Sequence, residues 1–389
     1  MNILFVQMQS YSDNASGVPR VTYNLGKYFT SQGLQVAYFS FEEKGHIAVE
    51  YGELYHAKGV GGINNNINLD ALKSCIAHFK PDRLINQTPY EQKLRKPLSE
   101  LCVSYNFKLI SCIHNSLFPF KNNVKSIMRR ILPKPINHIM ATEVMSKLPL
   151  LFHKIKHRNE LIAITKLHDV TLLFTPANYE ELKYFLKEED FDRTRIDFMP
   201  NPVEGVQQKV PNKEKVILHV GRINIKQKRS DLLLDFWEKI YKELPEWQFK
   251  IVGNGSYLDT LKEDLKKRGL VRVELLGFQK PEKYYKEASI FMMPSAYEGF
   301  PNTILESHSF GCPILAFNSY AALECIVDDG KNALLAKPYD TSEMAKLCVD
   351  LAKNDKALAQ MQKAALVNAE RFSIDKIGKQ WLDLFDEMV

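Results

Sequence analysis

Residues 295 to 317 read SAYEGFPNTILESHSFGCPILAF, directly after the apolar run Ile290 to Met293. The run has the length and composition of a buried strand, and Glu298 lies in the loop that follows it. Pro301 suits the first turn of a helix, where its missing N–H has no helical partner to lose. Thr303 to Phe310 is predicted helical and Pro313 to Phe317 extended. The open N–H groups of such a first turn can receive a phosphate. Glu306 sits inside the helix, and helical side chains tilt back toward the N-terminus. Were the whole interval from Glu298 to Glu306 helical, eight residues would span about 12 Å at a rise of 1.5 Å each. That scale fits a hexose at one end and a ribose at the other, with carboxylates accepting from sugar hydroxyls.

Working outward, the same alternation recurs on both sides. Toward the N-terminus of this stretch, Lys215 to Val220 reads as a strand, Asp231 to Tyr241 as a helix and Phe249 to Val252 as a strand. Leu261 to Lys267 is predicted helical and Val273 to Leu276 extended. From Ser342 onward the sequence is helix-rich. An earlier series opens the chain: a run from Ile3 to Val6, a loop with Ser16 and Gly17, an amphipathic stretch from Val21 to Phe29, and a second run from Val36 to Phe39. Further strand candidates are Arg83 to Asn86, Lys108 to His114 and Val170 to Phe174. The polar stretch PNKEK after FMPNPV (198 to 203) resembles a linker. Two such series predict an α/β protein of two Rossmann-like, doubly wound domains facing a central cleft, with ligands at the carboxyl ends of the strands. The expected division is residues 1–204 and 205–371, with a final helix around 372–389 packing back onto the first domain.

Composition narrows the class. Hydrophobic residues make up 45% and charged residues 25% of the 389, which is globular composition and not that of a disordered chain. The net charge of +6 suits anionic substrates or an anionic membrane surface but is too weak to argue for nucleic acid. The six cysteines show no CxxC spacing and no completing histidine pair, so buried free thiols are expected and no metal site. The opening MNILFVQMQS lacks a basic region and a long apolar core, and no run of about 18 apolar residues occurs. The expected location is the cytoplasm, with association to the inner face of the cell membrane left open. One segment, 121 to 158, concentrates Lys121, Lys125, Arg129, Arg130, Lys134, Lys147, Lys154, Lys156 and Arg158 against a single acid, Glu143, with Ile127, Met128, Ile131 and Leu132 interleaved. A basic, amphipathic stretch of this kind either lies on an anionic membrane or is a solvated helical insertion.

The pattern EGFPN-x3-E-x4-G-x-P, with its two glutamates Glu298 and Glu306, resembles the signature of family 4 glycosyltransferases of the GT-B fold. VGRINIKQKRSDLLLDF (220 to 236) is similar to that family's Gly-Arg-x(n)-Lys segment, IVGNG (251 to 255) and LLGF (275 to 278) to its glycine turns, and MPNPV (199 to 203) to its interdomain element. ALECIVDDGKNALLAKP resembles the loop and strand after its donor helix. The resemblance is specific over about 199 to 340 and looser in the first half. There it rests on Gly17, where the family often has two adjacent glycines and this chain has Ser16-Gly17, and on His114.

The resemblance implies a retaining, metal-independent transfer of a hexose or N-acetylhexosamine from a nucleotide sugar, by default a UDP-sugar, with no cofactor. The acceptor would be a hydroxyl of a glycan or lipid-linked acceptor in cell-surface polysaccharide synthesis, met by the N-terminal domain. Arg222 and Lys228 would hold the diphosphate and offset its charge as it leaves. Plain solvated charge is the alternative for both, with Lys226 and Arg229 as similar neighbours. Glu298 would bind the donor hexose, and His114 would contact the transferred sugar or the acceptor. Glu306 would hold the ribose, with Asn302 and Thr303 at the phosphate. Gly299, Phe300 and Pro301 complete that turn. Gly17, Gly253 and Asn254 would let the backbone approach the nucleotide. Domain closure would exclude water.

Three rivals use similar folds. A nucleotide-sugar epimerase or hydrolase would turn over without an acceptor. A nicotinamide dehydrogenase should carry GxGxxG after its first strand, and NILFVQMQSYSDNASG does not. A non-catalytic sugar-binding protein has no need of the paired glutamates and both cations.

Overall fold

The computed structural model describes residues 1–10, 17–42, 49–57, 62–118, 124, 133, 136, 145, 147–166, 168–191 and 195–388. Of the basic segment, Lys121, Lys125, Arg129, Arg130, Lys134 and Glu143 lie outside the described residues, as does Ser16. The chain divides into two compact units. Unit 1 comprises Met1–Pro202 and Ile374–Val389, and unit 2 comprises Val203–Ser373.

Unit 1 is built on β1 (Asn2–Gln9), β2 (Gln35–Glu42), β3 (Glu53–His56), β4 (Arg83–Asn86), β5 (Lys108–Cys112), β6 (Val170–Leu173) and β7 (Arg195–Phe198). They form one sheet in the order β3-β2-β1-β4-β5-β6-β7, and every pairing is parallel. Its described helices are α1 (Val18–Ser31), α2 (Asn66–Phe79), α3 (Gln92–Tyr105), α4 (Lys147–Lys166) and α5 (Pro176–Phe185). A parallel sheet needs cover on both faces, so its central strands read as unbroken apolar runs. Ile3, Leu4, Phe5 and Val6 of β1 are all fully buried. Ile3 and Phe5 join the core under α1, while Leu4 and Val6 join the opposite core under α2 and α3. Helix α1 buries Val21, Leu25 and Phe29 at intervals of four, which places them on one face.

Unit 2 follows the same plan. Its strands are β8 (Glu214–Val220), β9 (Gln248–Val252), β10 (Val273–Gly277), β11 (Ala288–Met293), β12 (Ile314–Phe317) and β13 (Ala333–Ala336). They form a sheet in the order β10-β9-β8-β11-β12-β13, again parallel throughout. The helices are α6 (Leu233–Ile240), α7 (Leu258–Arg268), α8 (Glu282–Glu287), α9 (Asn302–Ser309), α10 (Leu323–Ile326), α11 (Thr341–Ala352) and α12 (Asp355–Ala369). Trp237 of α6 stacks on Phe249 of β9 at 5.7 Å in the core and donates its indole N–H to the Val271 carbonyl. Asp340 caps the first turn of α11 by accepting from Ser342 and Glu343 N–H, and Asn354 does the same for α12.

The polar stretch after Val203 packs on unit 2. Gln207 N–H donates to Ser309 O, and Lys213 Nζ to Tyr285 O. The linker reading misjudged it because exposed polar composition is shared by true linkers and by strands of coil laid on a surface. The final helix, α13 (Ile374–Glu387), lies in unit 1. It sets Trp381 and Phe385 edge-on against Phe29 of α1 at 6.2 and 5.3 Å. All six cysteines are free, four of them buried.

Candidate functional site

In an open parallel sheet the two chain directions diverge at one point, and the loops there leave a crevice beyond the strand ends. In unit 2 that point lies between β8 and β11. The loop after β8 carries Gly221 to Arg229, and the loop after β11 carries Pro294 to Pro301.

The two loops are tied together by charge. Lys228 Nζ lies 2.7 Å from Glu298 Oε1, with side chains only 13% and 8% exposed. The Gln227 amide donates to Glu298 Oε2 at 2.9 Å, and Ala296 N–H donates to the Gln227 carbonyl at 2.7 Å. Oε2 of Glu298 thus accepts a hydrogen bond, while Oε1 is buried against the ammonium as an ion pair and accepts none. Asn224 shapes the turn by accepting from the N–H groups of Gln227 and Lys228. The other cations of this loop have different fates. Arg229 is taken up by Asp231 and by the Tyr339 ring. Arg222 and Lys226 are exposed.

Buried polar groups surround the pair. His219, fully buried in β8, donates Nδ1–H to Met292 O at 3.0 Å. Burial pushes its pKa down to about 4, against the raising effect of that hydrogen bond. The neutral ring leaves Nε2 as a buried acceptor without a partner, and the Lys228 charge also holds its pKa down. The Tyr320 hydroxyl is likewise buried without a partner. Burial first, then the Glu298 charge, raises its pKa well above the usual tyrosine value.

Helix α9 starts from this loop. Pro301 stands at its N-cap and offers no side chain to the first-turn N–H groups. Phe300 turns inward against Phe372 at 5.8 Å, so its side chain serves the core. Glu306, one turn into α9, accepts from the Tyr285 hydroxyl at 3.0 Å. Tyr285 is itself buried and stacks on Phe310.

Beside the crevice, β9 ends at Gly253 and Asn254. A Cβ on Gly253 would meet Gly221 O at 1.8 Å, and its φ is +150°. The two loops approach too closely for any side chain there. Ile223 N–H donates to Asn254 O at 2.9 Å, which fixes the β8 loop against the β9 loop.

Unit 1 holds the remaining candidates. Its chain directions diverge between β1 and β4, and Gly17 (φ +66°) forms the N-cap of α1 beyond β1. His114 follows β5 and lines a small hollow with Gln87, Cys112, Phe174, Asn201 and Trp381. Burial pushes its pKa down to about 4. The neutral ring donates from Nε2 to Gln87 Oε1, which leaves Nδ1 as an acceptor. The chain just beyond is pinned by buried Glu181, which accepts from Ser116 Oγ at 3.0 Å and Leu117 N–H at 2.7 Å.

Of the residues that sequence reasoning named, Lys228 and Glu298 meet between the β8 and β11 loops, Arg222 lies exposed in the β8 loop, and Glu306 pairs with Tyr285 from within α9. Sequence reasoning missed Gln227, His219, Tyr285, Tyr320 and Glu181. Only Gln227, as neighbour of a candidate lysine, carried a signal; the others are joined to the site by tertiary contacts alone. Among the described residues, no group of three His, Cys, Asp or Glu side chains could hold a metal ion.

Paired Rossmann-like units with this crevice define the GT-B class of fold. HepE from Anabaena, solved with UDP and glucose, aligns over 100% of both chains with a TM-score of 0.73 at 16% identity. Residues 203–367, nearly the whole of unit 2, match the family described as glycosyl transferases group 1. An uncharacterized glycosyltransferase of Haemophilus influenzae is 30% identical over 212 residues, covering 52% of this chain and 58% of that one. The poly(ribitol-phosphate) alpha-N-acetylglucosaminyltransferase of Staphylococcus aureus is 26% identical over 349 residues, covering 86% of this chain and 66% of that one. The chain thus spans about three-fifths to two-thirds of the length of these two relatives.

Proposed function

We propose that the chain is a retaining, metal-independent glycosyltransferase of family 4. It would move a hexose or N-acetylhexosamine from a UDP-sugar to a hydroxyl of a glycan or lipid-linked acceptor in cell-surface polysaccharide synthesis. The observation that carries this reading is the buried Lys228–Glu298 pair, set at the crevice of unit 2 beside the start of α9. The family match over unit 2 supports it. So do the S. aureus relative, named for an alpha-linked N-acetylglucosamine transfer, and the UDP complex of HepE. The setting of the reaction would be the cytoplasmic side of a membrane, where the acceptor is met.

The chemistry follows from the pair. Without donor, Lys228 neutralises Glu298. An arriving diphosphate competes for the ammonium, and the exchange frees Glu298 to accept from hexose hydroxyls. As the bond from the anomeric carbon to the diphosphate breaks, negative charge grows on the leaving oxygen. Lys228, Arg222 and the N-terminus of α9 offset it. The acceptor oxygen bonds to the same face of the anomeric carbon, and its proton passes to the departing diphosphate. Glu306, held by Tyr285, takes the ribose hydroxyls. His114 Nδ1 accepts from a hydroxyl of the sugar or acceptor.

Thermal unfolding with UDP, GDP, ADP, CMP or NAD tests the donor site. A ligand at a hundred times its Kd adds about 2.7 kcal/mol. One nucleoside diphosphate, expected to be UDP, should raise Tm, and Glu306→Ala should shrink that shift. A shift with NAD alone, or with none of the five, would sink the reading. Sugar release without acceptor, at the same rate as with it, would turn the assignment to a hydrolase or epimerase of the same fold.

A further inference from the structure

Helix α4 changes character along its length. Its second half buries Leu161, Ile164 and Thr165, whereas no residue from 147 to 160 is buried. The first half nevertheless carries large apolar side chains on its outer side. Leu148 is 61% exposed, Leu151 56%, Phe152 71% and Ile155 62%. Their spacing is i, i+3, i+4, i+7, so they form one stripe. The opposite side of the same turns rests on α5 and the turn beyond it: His153 lies against Phe185, Lys154 over Tyr184, and Arg158 pairs with Asp190. The stripe is therefore a second apolar face, turned away from the core.

Charge frames this stripe. At about 100° per residue, Lys147 and Lys156 fall roughly 90° to either side of its centre. Both are exposed, and neither has an ion-pair partner among the described residues. No acid occurs between Lys147 and Arg158. An apolar ridge with unpaired cations on both shoulders matches a bilayer interface, where the ridge enters the acyl boundary and lysine stems reach up to the headgroups. The same stripe on a second copy would set these cations against one another, since the stretch offers no acid to meet them.

We propose that the first half of α4 lies on an anionic lipid bilayer, with Leu148, Leu151, Phe152 and Ile155 inserted and Lys147 and Lys156 on lipid phosphates. This deepens the reading of a membrane-borne acceptor but does not depend on the donor chemistry. The chain should sediment with vesicles of phosphatidylglycerol and phosphatidylcholine in equal parts and stay in solution with phosphatidylcholine alone. Raising salt from 50 to 500 mM should weaken binding. Leu151→Ser with Phe152→Ser should lower the vesicle affinity at least tenfold. Lys147→Gln with Lys156→Gln should weaken binding and flatten its salt dependence. The Tm shift caused by a nucleoside diphosphate serves as the control: it should be unchanged in both variants, so membrane and donor readings fail separately. Equal vesicle binding by the serine variant overturns the proposal. So does a wild-type chain that ignores anionic vesicles at low salt, and so does a concentration-dependent dimer that the serine variant abolishes, which would make a second copy the occupant.

Discussion

Removing one partner of a buried ion pair leaves the other charge without water and without a counter-ion. Lys228→Ala should therefore destabilise unit 2 by about 3–5 kcal/mol. Lys228→Met combined with Glu298→Gln should regain most of that in urea unfolding while remaining inactive. Equal stability of the wild type and the alanine variant would show that the pair does not hold the crevice together. A second residue-scale prediction concerns Gly253. Its φ of +150° and the 1.8 Å approach of Gly221 O should make Gly253→Ala cost at least about 2 kcal/mol, read as a lower urea midpoint. At this scale the sequence was half legible. Glu298 and Lys228 stood out by their neighbours in the chain, but it assigned them separate ligands. That the two meet depends on β8 lying beside β11, a pairing of segments some seventy residues apart, which spacing along the chain does not encode.

Elements read well where a long apolar run or a clear period carried them. The runs Ile3 to Val6 and Phe249 to Val252 lie inside β1 and β9. The edge strands β3 and β7 were missed. Their sequences, ELYH and RIDF, are short and largely polar, with no fully buried residue. An edge strand is covered less and needs less apolar surface, so the signal that marks a central strand is absent. Helix α9 supplies a prediction at this scale. Its His308 is fully buried, donates Nε2–H to Asn332 O at 3.1 Å and accepts from Asn368 Nδ2 at 2.9 Å. That arrangement requires the neutral ring, and burial pushes the pKa down to about 3. His308→Leu removes one hydrogen bond from each of two buried groups, the Asn332 carbonyl, which keeps Ile314 N–H, and the Asn368 amide, which keeps the Ile326 carbonyl. It should cost about 1–3 kcal/mol, seen as a lower Tm for unit 2 and a looser α9.

For the whole molecule, five histidines shift the same way. His114 and His219 are held near 4 and His308 near 3, all below the ordinary 6.5. Burial also holds His153 near 4 and His168 below its ordinary value. A proton binds the unfolded chain more readily than the folded one in that window. The stability they contribute is complete above pH 6.5 and is lost as pH falls toward 4. Tm should drop across that range, and His308→Gln should give a shallower slope from a lower start. A flat Tm from pH 7 to 4.5 would contradict the burial of these rings. The doubly wound plan of both halves was legible because each half repeats the same alternation.

The chain leaves unit 1 at Pro202 and returns to it only at Ile374, after all of unit 2. On a ribosome adding about 5–20 residues each second, that interval lasts roughly ten to thirty seconds. Unit 2 is continuous and can close on itself while still tethered. Unit 1 emerges first yet is completed last: Phe29 and its neighbours on α1 wait, uncovered, for Trp381 and Phe385 of α13. A nascent chain stalled before Ile374 should therefore carry a finished unit 2 beside a sticky, protease-sensitive unit 1, and the order of birth is the reverse of the order of completion.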